Sequence, residues 1–256
     1  MTTATYFAFD TETSGFEPSE GAEILSYAYI VLDENLQEMK RNQRFFFPKG
    51  EVPESASAVN GYSLESWTAK GALPAASLPV HIQYDLEHDV LPSKCIPLGH
   101  NVQFDLRFFQ KYAPRAIMRS ALDYHGADTM MLAIALDQAF GQKGSYKLVE
   151  LCKRFEIPLV GAHDSMQDVA ATVELYRRLV GRIRTGAGMP EAPTPPPRQD
   201  GFLQKTGSAY TMAKGKYAGK TLDEVGSTDR GYLAWALNTV QLSPEERTAM
   251  KAACGL

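Results

Sequence analysis

From Thr5 to Phe9 the chain is β-branched, aromatic and small, the make-up of a buried strand, and the pattern changes at Asp10. Two further strand-like runs follow, Ala22–Leu32 and Leu36–Phe47, split by the turn-forming Asp33-Glu34-Asn35. Connections this short predict antiparallel pairing. Pro48 and Gly50 then break the pattern, and short helices are expected over Ser63–Lys70 and Val80–Val90. Ile96–Gly99 reads as a strand feeding a helix over Asn101–Tyr112, with Phe104, Phe108 and Tyr112 on one stripe. Ala127–Met130 reads as a strand end leading into a helix through Ala139, and Ser145–Phe155 as another helix. Asp164 has the form of an N-cap, with Gln167 completing a capping box for a helix running to about Leu179. Strands first, then strands alternating with helices, predict an α/β fold: a mixed sheet flanked by helices.

The periodic pattern stops near residue 180. Residues 181–200 hold five of the fifteen prolines and three glycines, which suits a semi-stiff linker and not a core. About 55 residues follow, with a turn-rich basic stretch, Lys214–Thr221, a helix expected over Asp229–Leu237, and a last helix starting at Ser243-Pro244. Division into residues 1–180, a linker over 181–200 and a small module over 201–256 is therefore expected.

Charge follows the same division. The net value is −4, but residues 1–180 carry −7, residues 181–200 carry +1 and residues 201–256 carry +2. This argues against a general electrostatic coating of nucleic acid. Three widely separated cysteines without a CxxC pair argue against a disulfide framework or structural zinc, and suit a reducing, cytosolic setting. The N-terminus lacks a signal-peptide pattern and no run approaches 18 apolar residues, so neither secretion nor a membrane span is expected.

The candidate chemistry is acidic. Asp10 and Glu12 stand two apart at a strand end and so point to the same face, with Thr11 turned away between them. Like charges that close repel, and a divalent cation with hard oxygen ligands would resolve the conflict; the alternative is a turn-forming Asp10 and a solvated Glu12. Asp105 lies one helical turn after Asn101, where a carboxylate also suits the helix dipole. Asp168 sits among Val169, Ala170 and Val173, near a buried boundary where a carboxylate needs a partner or a metal. His163 is five residues earlier, just outside the same helix. With two divalent ions these four carboxylates could form a site for in-line attack at phosphorus, and His163 sits where it could face them.

The stretches DTETSG, HNVQFDLRFF, SYKLVELC and HDSMQDVAAT, in this order, resemble the successive motifs of the DnaQ-like, DEDDh-type 3′–5′ exonucleases across most of residues 5–180. The resemblance implies an RNase H-like five-stranded mixed sheet and two Mg²⁺ or Mn²⁺ ions. It implies that Asp10 bridges both ions, that Glu12 and Asp168 help hold the one carrying the attacking water, that Asp105 holds the other, and that His163 is the general base. Thr13, Ser14, Asn101 and Phe104 match positions lining the pocket for the 3′-terminal nucleotide; Ser14 stands where Thr is commoner. The stretches GKYAGKTLDEV and GYLAWAL resemble the small C-terminal domain of exonuclease X-like proteins. Lys214, Lys216 and Lys220 around Tyr217 suit contact with a phosphate backbone plus base stacking, or form a solvated lysine turn. The expected activity is release of nucleoside 5′-monophosphates from DNA 3′ ends. Trimming of RNA and a proofreading or accessory role beside a polymerase are the alternatives.

Overall fold

The computed structural model describes residues 3–159, 164–190, 202–206, 209–240 and 242–255. Its first strand, β1 (Ala4–Thr13), pairs antiparallel with β2 (Ile24–Asp33), which pairs antiparallel with β3 (Glu38–Phe45). Beyond its buried run the strand β1 carries Asp10 and Glu12 and continues to Thr13, because β2 partners it throughout, with Asp10 opposite Ala28 and Glu12 opposite Ser26. On its other side β1 runs parallel to β4 (Ile96–Gly99), and β4 runs parallel to the two-residue β5 (Ala127–Asp128). Among the described residues these five strands form one mixed sheet in the order β3-β2-β1-β4-β5, as expected.

Alternation along β1 divides the core. Phe7 and Phe9 face one side and join Tyr27, Tyr29, Phe108 and Phe109 in a buried aromatic cluster. Ala8 faces the other side and packs with Ala28, Ile30 and Leu98 against Val169 and Val173. The first cluster is covered by α3 (Leu78–Asp85) and α4 (Val102–Tyr112), and the second by the long α8 (Ser165–Thr185). Both faces of β1 and β2 are thus buried, which explains their unbroken apolar runs.

Several elements differ from expectation. A helix α1 (Glu54–Asn60) precedes the expected α2 (Leu64–Ala69), and α5 (Arg115–Ala121) follows Pro114; neither has enough apolar periodicity to reveal itself. The helix expected over Val80–Val90 is α3 followed by a wider π-helical turn, Leu86–Val90. The helix α6 (Thr129–Ala139) is capped by Asp128, which accepts from the Met130 and Met131 amides. The helix α7 (Leu148–Arg154) starts later than expected because Lys147 is extended.

The helix expected to end near Leu179 also runs further. The helix α8 continues through Thr185 and ends at Gly186, whose φ of 65° glycine adopts without a Cβ clash. Met189 is buried against Leu175 and Leu179, and Arg154 Nε donates to Pro190 O at 2.7 Å. The chain divides into two compact units, 1–193 and 194–256.

The guanidinium of Arg154 also makes two 2.7 Å bonds to both oxygens of Asp137, with side chains only 3% and 0% accessible. Removing one partner of so buried a pair leaves an uncompensated charge. Arg154→Ala is expected to lower the stability of the first unit by about 3–5 kcal/mol, read from denaturant unfolding. The double replacement Asp137→Leu with Arg154→Met should lose much less.

The second unit has its own core of Leu203, Met212, Leu222, Val225, Leu233, Ala236, Leu237 and Met250. A hairpin absent from the expectation, β6 (Leu203–Thr206) and β7 (Ala209–Met212), packs with α9 (Leu222–Thr228), α10 (Arg230–Thr239) and α11 (Pro244–Cys254). Ser243, where the last helix is expected to start, caps α11 and forms a capping box with Glu246, which also accepts from the Leu203 amide, tying the helix to the hairpin.

Candidate active site

The site lies where β1 and the parallel β4 end, the place where an α/β sheet leaves backbone and side chains open to a ligand. Asp10 and Glu12 project from β1 toward the α8 side. Asp164 caps α8, accepting from the Met166 amide at 3.1 Å, and Asp168 follows one turn later. Carboxylate oxygens of Asp10, Glu12 and Asp168 lie within 4.8 Å of one another. Such a set of hard oxygen donors can hold a divalent metal ion.

Asp105 reaches the centre from the opposite layer. Thr11, turned away from its two acidic neighbours as expected, donates to Asp105 Oδ1 from its amide at 2.9 Å and from its hydroxyl at 2.7 Å. Asp105 is 3% accessible and stands outside the 4.8 Å group, though near enough for its charge to act on both Asp10 and Glu12. The start of α4 is set from a third element. Asp128 accepts from the amides of Asn101 and Val102 at 3.1 Å, holding Asn101 at a φ of 65°, which asparagine tolerates.

At Asp10, Glu12 and Asp105 the net effect of the surroundings is adverse to ionisation. Burial, then the charges of Asp105, Glu12, Asp168 and Asp164, hold the Asp10 carboxyl well above its usual range. Burial followed by Asp168 and Asp105 raises Glu12 to about 8, with the Lys70 charge acting in the other direction. Burial raises Asp105 to about 7 against the two Thr11 hydrogen bonds. A fold gains nothing from these shifts; a bound cation would reverse them.

Beside the acids is a cavity of about 410 Å³ lined by Glu12, Thr13, Ser14, Phe16, Val59, Asn60 and Phe104, among others. Thr13, Ser14 and Phe104 meet in this lining, whereas Asn101 is exposed at the start of α4 and is not part of it. Ser14 is engaged in the turn itself: its hydroxyl accepts from the Glu23 amide at 2.9 Å. His163 lies outside the described residues.

The opposite wall of the cavity is α1, which sequence reasoning missed. Asn60 Nδ2 donates to Thr13 O at 3.1 Å and fixes that wall to β1. Phe16 and Val59 form an apolar lip, 88% and 52% exposed. Pro53 before α1 and Gly61 after it, with a φ of 69°, were the signals that could have located the helix.

In the second unit, Gly215 and Gly219 take φ values of 88° and 85°, as the tight Lys214–Thr221 turn requires. Lys216 and Lys220 lie over the Tyr217 ring, at 4.8 and 5.8 Å. Lys216 Nζ and the Tyr217 hydroxyl both donate to Asp229 Oδ2, at 3.2 and 2.8 Å, a local partner that the sequence did not reveal.

A five-stranded mixed sheet with acids gathered at its strand ends is the RNase H-like architecture of exonucleases. An exonuclease family model, that of RNase T, matches residues 7–176, and the chain belongs to that family. It is 27% identical over 177 residues to a DNA polymerase III subunit epsilon of Rickettsia felis, covering 67% of this chain and 72% of that protein. It is 24% identical to the 3′-5′ exonuclease DinG of Bacillus subtilis, covering 70% of this chain but 18% of the relative. Its fold is similar to that of E. coli Exonuclease I in complex with a dT13 oligonucleotide, with a TM-score of 0.59 and 22% identity, covering 72% of this chain and 42% of the other. Among the described residues, no helix is long and apolar enough to cross a membrane.

Proposed function

We propose that this protein is a 3′–5′ exodeoxyribonuclease that releases nucleoside 5′-monophosphates one at a time, with two Mg²⁺ or Mn²⁺ ions as cofactors. The observation that carries the reading is the convergence of Asp10, Glu12 and Asp168 beside a cavity of nucleotide size. The named activities of the relatives support it. Asp10, Glu12, Asp168 and Asp105 would hold the ions, which when bound supply charge neutralisation at phosphorus and a more acidic attacking water.

The chain's own residues do the rest. Thr11 keeps Asp105 aimed at the centre through its paired hydrogen bonds. Phe104, Val59 and Phe16 offer apolar surface to the terminal base, and Thr13 and Ser14 bring backbone close to its sugar. His163 takes the proton of the attacking water, as an imidazole can near neutral pH. In the second unit, Lys214, Lys216, Lys220 and Tyr217 would contact the strand. The solvent-exposed Lys216–Asp229 pair is weak and can exchange for a phosphate.

The test is digestion of defined oligonucleotides. With Mg²⁺, 5′-labelled DNA should shorten stepwise from its 3′ end and yield 5′-monophosphates; intact DNA under these conditions would sink the reading. An RNA oligomer of the same sequence, run in parallel, separates the exoribonuclease alternative, for which the site would have to accept the 2′-hydroxyl. The similarity to polymerase III epsilon subunits favours a second reading, a proofreading partner of a polymerase. Co-purification with a polymerase, lost on deletion of residues 194–256, would support it.

A further inference from the structure

Lys70 follows the last turn of α2, and its ammonium stands 4.6 Å from the centre of the Phe45 ring and 4.8 Å from that of Trp67. The platform beneath it is fixed. Trp67 is 1% exposed, its indole N–H donates to Leu25 O at 2.9 Å, and its ring meets Phe45 and Tyr62 edge-on at 5.4 and 5.1 Å. A free lysine samples many rotamers; two aromatic faces restrain this one.

The position of that ammonium is the informative part. It lies 3.9 Å from Asp164 Oδ2, on the cap of the helix that delivers Asp168, and its charge is felt at Glu12. Yet the side chain remains 39% accessible. As a structural tie to Asp164, so long and open a pair contributes little, and gives little reason to hold a lysine on two rings. As a ligand-facing cation it has a clear use. A strand entering this site brings phosphates toward five carboxylates, those of Asp10, Glu12, Asp105, Asp164 and Asp168. A restrained positive charge at the rim offsets that repulsion and fixes the position of the phosphodiester.

We propose that Lys70 is a phosphate-binding residue of this site, holding a non-bridging oxygen of a phosphodiester next to the 3′-terminal nucleotide. The inference rests on the exonuclease reading and adds to it a residue 58 positions from Glu12.

Two variants test it. Lys70→Met keeps an unbranched stem over the rings and removes the charge, and Lys70→Arg keeps the charge. Binding of a single-stranded oligothymidylate is measured with Ca²⁺ over a range of salt concentrations, and single-turnover cleavage with Mg²⁺. For Lys70→Met the slope of log affinity against log salt should become shallower by about 0.7, the loss of one phosphate contact on a single strand. Cleavage should slow on the order of tenfold or more, the loss of one charge-assisted hydrogen bond at the reacting phosphate. Lys70→Arg should recover both, and both variants should melt within about 2 °C of the wild type, as expected for a surface substitution. An unchanged salt slope in Lys70→Met, with wild-type cleavage intact, overturns the role of Lys70 and leaves the exonuclease reading standing. Wild-type protein that neither binds nor cleaves the strand overturns both.

Discussion

Asp10→Asn is expected to lower single-turnover cleavage by about 10³-fold or more while raising the melting temperature of the metal-free protein. The first effect follows from position. Asp10 is central to the acidic group, with Glu12 two residues away on the same strand face and an Asp168 oxygen within 4.8 Å. Loss of about 4 kcal/mol of charge stabilisation at the reacting phosphate corresponds to that factor. The second effect follows from the same geometry without metal. Burial and four neighbouring carboxylates oppose ionisation of Asp10, so a neutral side chain of the same shape relieves the fold. A gain of about 3 °C corresponds to roughly 1 kcal/mol in a domain of this size. Cleavage within tenfold of wild type would remove Asp10 from the centre of the chemistry. A lower melting temperature in chelator would refute the account of mutual repulsion.

Metal should stabilise the protein strongly at pH 8 and weakly at pH 5. Glu12 is raised from 4.5 to about 8 and Asp105 from 3.8 to about 7. The folded chain therefore holds these protons more tightly than the unfolded chain. Between about pH 4 and pH 8 the unfolded chain gives them up first, so rising pH favours unfolding of the metal-free protein until the folded-state values are passed. A divalent ion binds the ionised carboxylates and opposes this loss, and at pH 5 it must compete with their protons. At 100 times its dissociation constant an ion contributes about 2.7 kcal/mol, or roughly 5–10 °C here. Thermal unfolding in Mg²⁺ and in chelator at the two pH values measures the difference. An equal gain at both would mean that these carboxylates do not take up the ion.

Much of this site was legible in the chain because its signals are local. The period of a strand puts Asp10 and Glu12 on one face wherever the strand ends, and Asp164 announces the helix that carries Asp168. What stayed hidden depends on contacts between distant segments. Thr11 meets Asp105 across 94 positions, and nothing near either residue signals the pair. Lys70 closes an expected helix, but only the folded chain sets it against Asp164. The helix α1 is too short for periodicity to reveal, although it builds one wall of the cavity. The extent of the first unit was hidden for a similar reason: Arg154 donates to Pro190 O, 36 residues further along the chain.

The sheet order also bears on how variants of this protein can be handled. Its outermost strands are β3 and β5. Exposed Glu38, Lys40 and Arg41 give β3 a charged margin, and β5 offers only two residues of backbone. Both margins are poor templates for a strand from another molecule. Variants that loosen the acidic centre should therefore stay dispersed at the concentrations calorimetry requires, instead of joining sheet to sheet.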